Sequence, residues 1–479
     1  MQTWTPFTLV ASLALGSLFM PSIHALPGPR VETKHGIVTG FQDAAAPGVA
    51  QFYGVPYAEA PIGERRWLPA LPKESFGTLD ATVRRPSCPQ TDPPGTGGAW
   101  AAEFLIRPNS TSEDCLTLNI WTPSNLSEAL PVVIWIHGGG FGAVLYFPFI
   151  FTPFAVRSYR LGLWGFPNAA GLEQTQQNLG LLDQRLATEW VRDNIAQFGG
   201  DPEDIILWGQ SAGAASVSYY QYAYPDDPVA IGFIKNSGSP FIPIGSNDAV
   251  HGNFSSLAVA FGCQEDELSC LRKIPFRKIQ QYLDQAGNLT FNVIVDENTK
   301  FSDYENRTLD GRVAKGPSIV GSTRDEWNFA GSTTIPPTNG SDVVPDNLFG
   351  CPAQYETSLR NVAGLKTYRY MYSSNFTNIM PGGQGAFHSA ELPLIFGTHD
   401  IARQNSTAFE YEVSAEMQDL WLSFVLDPEN GPVTEGWEAT PLGGLETLQT
   451  GIDIGYNGSV VQPFSWISWQ TACIRGVVA

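Results

Sequence analysis

Charge is scarce in this chain. Only 15% of its 479 residues are Asp, Glu, Lys or Arg, against about a quarter in ordinary globular proteins. The basic sign is the scarcer: 27 Lys and Arg face 47 Asp and Glu, for a net charge of −20 with His neutral. Such a surface repels phosphate backbones and anionic headgroups, so nucleic acid and anionic membranes are poor partners. The six cysteines and six histidines form no C-x-x-C pair and no His-spaced zinc pattern. No repeat, Gly-X-Y period or low-complexity tract occurs, which excludes solenoid, collagen-like and disordered chains. Beyond residue 25 no apolar stretch is long enough to cross a bilayer.

What is present describes a large globular protein. Hydrophobic residues make up 43% of the chain, and 48 Gly with 36 Pro point to many loops. The length fits one large α/β domain. Residues 1–25 read as a cleaved export signal: Phe7 to Met20 carries no charge and Ala25 is a small residue at a cleavage position. No Pro/Ser linker divides residues 26–479, so a single domain with loop insertions is expected, the stretch Thr333 to Pro345 being a surface loop. An even cysteine count behind a leader favours disulfides. Nine N-x-S/T sequons, at Asn109, Asn125, Asn253, Asn288, Asn306, Asn339, Asn375, Asn405 and Asn457, predict a glycosylated extracellular protein.

Between Pro131 and Pro240, strand and helix patterns alternate. Val132 to Ile136 (VVIWI) and Ile205 to Trp208 (IILW) are unbroken apolar runs suited to buried parallel strands. Between them, residues 178–197 carry Leu182, Leu186 and Trp190 four apart on one helical face, with Asn178 as N-cap and Gly199-Gly200 as stop. Strand, helix, strand implies an α/β fold with a mostly parallel central sheet covered by helices on both faces.

Two motifs sit at the ends of the predicted strands. Gly209-Gln210-Ser211-Ala212-Gly213 follows IILW directly. Small residues around a Ser at a strand-to-helix turn let the chain fold back and raise the hydroxyl above the sheet, as a nucleophile requires. His137-Gly138-Gly139-Gly140-Phe141 follows VVIWI. Consecutive glycines can aim backbone N–H groups at an oxyanion. The predicted donors are the N–H groups of Gly139, Gly140 and Ala212, with His137 structural.

A nucleophilic Ser needs a base, and when Ser stands on a strand-to-helix elbow of this kind the order along the chain is Ser, acid, His. Downstream of Ser211 lie His251, in a polar turn, His388, in a Gly-rich approach to an apolar segment, and His399, which reads as solvated beside Asp400. His388 ranks first. The acid should lie between Ser211 and His388; Glu326, at the end of a short apolar run, is the first candidate and Asp325 its rival.

At this point the sequence resembles the type-B carboxylesterases and lipases, over nearly the whole mature chain. The resemblance rests on FYGVPYAEAPIGERRWLPA (52–70), SEDCLTLNIW (112–121), HGGGF, YRLGLWGF (159–166), NLGLLDQRLATEWVRDNIAQFGGDP (178–202), GQSAGAAS, VGSTRDE (320–326), AFHSAELPLIFG (386–397) and MQDLWLSFVLDPENGP (417–432). It implies an α/β-hydrolase fold and a secreted serine ester hydrolase acting on small-molecule or lipid esters, with no metal or cofactor. It implies Glu326 rather than Asp325 as acid, His388 as base, and Gly139, Gly140 and Ala212 as oxyanion donors. It also implies disulfides Cys88–Cys115 and Cys263–Cys270, leaving Cys351 and Cys473 to pair by elimination. An interfacial triacylglycerol lipase is the alternative, with Trp100, Phe104, Leu105 and Ile106 as the apolar face of a lid. A neuroligin-like binding protein is another, against which the intact Ser, Glu and His speak. Oligomeric state is not readable.

One stretch departs from the family. Only residues 142–158 separate Phe141 from Tyr159, where the family carries a longer segment. A parallel crossover normally takes a dozen or more residues. On that count the strand ending near Tyr159 cannot take its place without dragging the HGGGF loop away from Ser211, which makes an inactive or non-folding product the third alternative.

Overall fold

The computed structural model describes residues 28–91, 111–143, 154–326, 328, 348–379, 385–401, 405–442, 450–464 and 473. The leader, the lid candidates Trp100, Phe104, Leu105 and Ile106, and the loop Thr333 to Pro345 lie outside them. Fourteen strands form two sheets among the described residues. The small one joins β1 (Arg30–Thr33), β2 (Gly36–Thr39) and β5 (Gly77–Asp80). The large one contains β3 (Phe41–Gln42), β4 (Val49–Pro56), β6 (Thr117–Pro123), β7 (Leu130–Ile136), β8 (Phe154–Arg157), β9 (Gly200–Gln210), β10 (Gly232–Asn236), β11 (Ser318–Thr323), β12 (Thr367–Tyr372), β13 (Ile452–Ile454) and β14 (Val461–Pro463). Their order is β14-β13-β12-β11-β10-β9-β7-β8-β6-β4-β3. Pairing is parallel from β8 through β7 to β13 and antiparallel toward both edges. This is the mostly parallel sheet of an α/β-hydrolase.

The unbroken apolar runs have a simple cause. Successive side chains of a strand point to opposite faces, and here both faces are dry. Ile134, Ile136, Ile205, Leu207 and Phe233 pack on one side with Ala187, Val191 and Val217, from the helices Leu179–Asn194 and Ala212–Ala223. Val133, Trp135, Ile206, Trp208 and Ile234 pack on the other with Met417, Leu420, Trp421 and Phe424, from the helix Ala408–Leu426.

The helix predicted from residue 178 starts at Leu179, and Gly199 ends the helical stretch in the left-handed conformation (φ 87°). Asn178 occupies the N-cap position but its side chain does not cap the helix. It turns away to hold Ile294, accepting from the Ile294 N–H at 3.0 Å and donating to its carbonyl at 2.8 Å.

The short crossover does not displace its strand. β8 inserts between β7 and β6, parallel to the first and antiparallel to the second. The segment that follows is held from outside the crossover. Arg160 makes two charge-assisted bonds to Asp183, at 2.7 and 2.6 Å, with both side chains buried, and the Tyr159 hydroxyl donates to the His137 carbonyl at 3.0 Å. These partners anchor the chain just past β8, so the length of the crossover before it matters less than expected.

Three disulfides close, Cys88–Cys115, Cys263–Cys270 and Cys351–Cys473. The last joins the helix Gly350–Val362 to the C-terminal region. Behind β10 that helix is also tied by a fully buried ion pair between Glu356 and Lys235, whose ammonium also donates to Gln221 at 2.9 Å.

Candidate active site

β9 ends at Gln210 and the helix Ala212–Ala223 begins two residues later. Ser211 lies between them at φ 58°, ψ −125°, a conformation that costs a non-glycine residue of order 1–3 kcal/mol. Neighbouring contacts hold it there. Its N–H donates to the Asn236 carbonyl at 2.8 Å and its own carbonyl accepts from Ala215 at 2.9 Å. Gly213 must be glycine because a Cβ there would lie 2.1 Å from the Ile136 carbonyl oxygen. The elbow is therefore pressed against the end of β7.

β11 ends at Thr323, and the turn after it carries Asp325 and Glu326. Glu326 is 2% exposed. One of its oxygens accepts from the Thr323 N–H at 2.8 Å; the other lies 2.5 Å from His388 Nδ1. Asp325, the rival, faces elsewhere: it accepts from the Ala386 N–H at 2.9 Å and so ties down the loop that carries His388. The opposite ring nitrogen, His388 Nε2, lies 3.1 Å from the Gln210 amide nitrogen. An amide nitrogen only donates, so Nε2 presents its lone pair and Nδ1 carries the proton toward Glu326. Phe349 stacks on the imidazole, centroids 4.3 Å apart at 23°. Ser211, Glu326 and His388 come from three different loops that the topology delivers to one end of the sheet.

The HGGG loop lies on this assembly. A Cβ on Gly138 would sit 2.7 Å from the Gln210 carbonyl oxygen and 2.9 Å from Ser211 Cβ. The loop was expected to be pulled away by the short crossover; it lies against the elbow instead. His137 is structural, stacked on Tyr159 with centroids 4.4 Å apart and its Nδ1 2.8 Å from the Gly138 carbonyl. His251 bonds to Asn168. His399 is not solvated: it is 5% exposed, 2.6 Å from the Ser406 hydroxyl and 3.5 Å from Glu410, because the helix Ala408–Leu426 folds over it.

Sequence reasoning missed Gln210, Phe349 and Glu391. Gln210 sits at the variable position of G-x-S-x-G, where the pattern carries no information. Phe349 comes from a stretch with no motif. Glu391 had a signal, three residues after His388 in AFHSAE. It is fully buried and accepts from the Asn236 amide at 3.3 Å. Burial, and then the neighbouring Glu326, push its carboxyl up to about 7. Among the described residues no cluster of three or more His, Cys, Asp or Glu is arranged to hold a metal.

The model of the Carboxylesterase family matches residues 27–341 and 337–460. The chain belongs to the carboxylesterase family. It is 43% identical to the chlorogenic acid esterase of Aspergillus niger over 434 residues, covering 85% of this chain and 84% of that esterase. It is 38% identical to secreted lipase 5 of Gibberella zeae over 469 residues, covering 85% and 87%. It is 28% identical to the acetylcholinesterase of Bungarus fasciatus over 492 residues, covering 85% and 80%. The protein is an ester hydrolase of the carboxylesterase and lipase type. For this carboxylesterase, the buried Glu326–His388 contact has chemical meaning: a carboxylate beside one ring nitrogen favours positive charge on the imidazole when the other nitrogen takes a proton.

Proposed function

We propose that this carboxylesterase is an extracellular serine hydrolase, its residues 26–479 forming one domain after removal of the leader 1–25, with N-glycans at some of its sequons. Ser211 Oγ attacks the ester carbonyl carbon while His388 Nε2 takes the hydroxyl proton. Glu326 orients His388 and stabilises the imidazolium. The N–H groups of Gly139, Gly140 and Ala212 receive the negative charge that develops on the carbonyl oxygen. Collapse of the tetrahedral adduct breaks the ester C–O bond, and the leaving alkoxide takes the proton from His388. Water then attacks the acyl-enzyme by the same base, releasing the acid and restoring Ser211. This route needs no metal or organic cofactor.

The observation that carries the reading is the 2.5 Å contact between Glu326 and His388 beside a Ser held at φ 58°. Extracellular location is supported by the leader, the three disulfides and a relative named as a secreted lipase. The first substrates to test are soluble esters of aromatic acids, because the relative at 43% identity is a chlorogenic acid esterase. Purified protein should hydrolyse chlorogenate and short p-nitrophenyl esters, and Ser211→Ala should lower turnover by several decades without changing the fold. A variant that keeps a tenth of wild-type activity would show that another residue is the nucleophile. Activity confined to long-chain emulsified esters would move the protein to the interfacial lipases.

A further inference from the structure

We propose that Asn292 is a positioning residue for the oxyanion loop, clamping the Gly140–Phe141 peptide through the Gly140 carbonyl so that the turn carrying the N–H groups of Gly139 and Gly140 cannot swing away from the reacting oxygen. The inference rests on the oxyanion reading given above. A run of glycines has almost no intrinsic conformational preference. Gly139 and Gly140 lie at φ 105° and 62°, so their orientation must be imposed from outside. Each peptide unit is planar, and its C=O and N–H point in opposite directions. Holding a carbonyl therefore aims the next residue's N–H the other way.

Five consecutive carbonyls of the loop are held. That of His137 accepts from the Tyr159 hydroxyl at 3.0 Å, and that of Gly138 lies 2.8 Å from His137 Nδ1. Gly139 accepts from Gly142 and Ala143 at 3.1 and 3.0 Å, and Phe141 from Gly162 at 2.8 Å. Gly140 accepts from the Asn292 amide nitrogen at 3.0 Å. The peptide plane before Gly140 is set inside the loop; the plane after it is set by Asn292. Together they fix both dihedrals of Gly140. Asn292 comes from the most distant segment of these partners, 152 residues away.

That segment is itself braced. Phe291 and Val293 on either side of it are buried, and the Asn292 amide between them reaches the loop. Asn292 Oδ1 accepts from the Val293 N–H at 2.8 Å, which leaves the amide nitrogen for the Gly140 carbonyl. The Val293 carbonyl is bonded to the Ser246 N–H at 2.9 Å, and Ile294 is gripped by Asn178 through both its N–H and its carbonyl. The Asn178 side chain, diverted from capping its own helix, thus supports the clamp.

The test compares Asn292→Asp and Asn292→Ala with wild type. Asp keeps the shape but offers a carboxylate to a carbonyl oxygen, so it should break the clamp without leaving a hole. Losing one oxyanion donor outright costs about a hundred- to a thousandfold; loosening the donors should cost roughly ten- to a hundredfold in kcat. KM should change by less than about threefold. A trifluoromethyl ketone, to which Ser211 adds to form a tetrahedral oxyanion, should lose affinity by the same factor as kcat, and thermal unfolding should shift little. Wild-type kcat in both variants would overturn the proposal. So would a loss of kcat with unchanged affinity for the ketone, because the oxyanion donors would then still be in place. Ser211→Ala, made alongside, separates the two readings. If it is dead while the Asn292 variants are normal, only this inference falls. If it retains turnover, the catalytic reading falls and this inference with it.

Discussion

The two halves of the site are built differently. The proposed nucleophile half stands on buried strands: β9, buried over its last six residues, delivers Ser211, and β11, which delivers Glu326, is buried at every residue, as are the neighbouring β10 and β12. Its positions follow from sheet packing. The proposed oxyanion half is a loop of glycines whose geometry is imposed by side chains, that of its own His137 and, from elsewhere, those of Tyr159 and Asn292. A well-packed sheet supplies precision to the first half at no separate cost. The second half has mobility built into its residues and depends on partners that must be placed one by one.

The strongest test of the first half is Glu326→Gln. The amide keeps the size but presents a mixed donor and acceptor to His388 Nδ1 and withdraws the charge that stabilises the imidazolium. A loss of about three to four decades in kcat is expected, by analogy with neutralising a triad acid, measured on p-nitrophenyl acetate with circular dichroism as the folding control. A loss under tenfold would mean that the 2.5 Å contact is structural.

The oxyanion half is best probed by two glycines with different reasons for being glycine. Gly138→Ala puts a methyl group 2.7 Å from the Gln210 carbonyl oxygen and 2.9 Å from Ser211 Cβ, so the loop must back away from the elbow; about a hundredfold loss in kcat is expected. At Gly140 a Cβ meets no described atom within 4 Å, and only the φ of 62° resists it. Alanine there should cost about 1–2 kcal/mol in loop strain and, with the clamp intact, less activity than Gly138→Ala. The reverse ranking would show that crowding at the elbow is not what places the loop.

The smallest effect concerns Glu391, beneath the base. Its carboxyl is pushed up to about 7 by burial first and by Glu326 second, while the unfolded value is near 4.3. The folded state therefore binds the proton more tightly than the unfolded state. Stability is fully present below about pH 4, declines as pH rises from there toward 7, and then levels off. Glu391→Gln cannot ionise, so its melting temperature should fall less between pH 5 and 7.5 than that of wild type. Parallel melting curves would place the charge burden elsewhere.

Much of the fold was legible because buried parallel strands write themselves as apolar runs, and VVIWI and IILW did so. The proposed nucleophile half was legible for a related reason: its elbow demands small residues at fixed spacing, and Glu326 stands just past the end of a strand. Misreadings came where one element covers another. His399 looked solvated because Asp400 is its neighbour in sequence, yet a helix starting at Ala408 buries it. The short crossover looked prohibitive because the count of residues cannot show that Arg160 and Asp183 hold its far end. Gln210, Phe349 and Asn292 carry no motif; their roles arise from tertiary placement, which spacing does not encode.

The sheet also partitions the molecule energetically. Ile206 and Leu207 are adjacent in the chain, yet one belongs to the interior beneath the helix Ala408–Leu426 and the other to the interior beneath Leu179–Asn194. They share a backbone and no packing neighbours within a core. Truncations at the two positions should therefore couple only through the shared backbone, whereas Ile206 and Ile234, in different strands but the same interior, should couple through packing. Proximity along the chain is a poor guide here to which residues constrain one another's evolution, and a substitution tolerated on one side of the sheet leaves the other side free to vary.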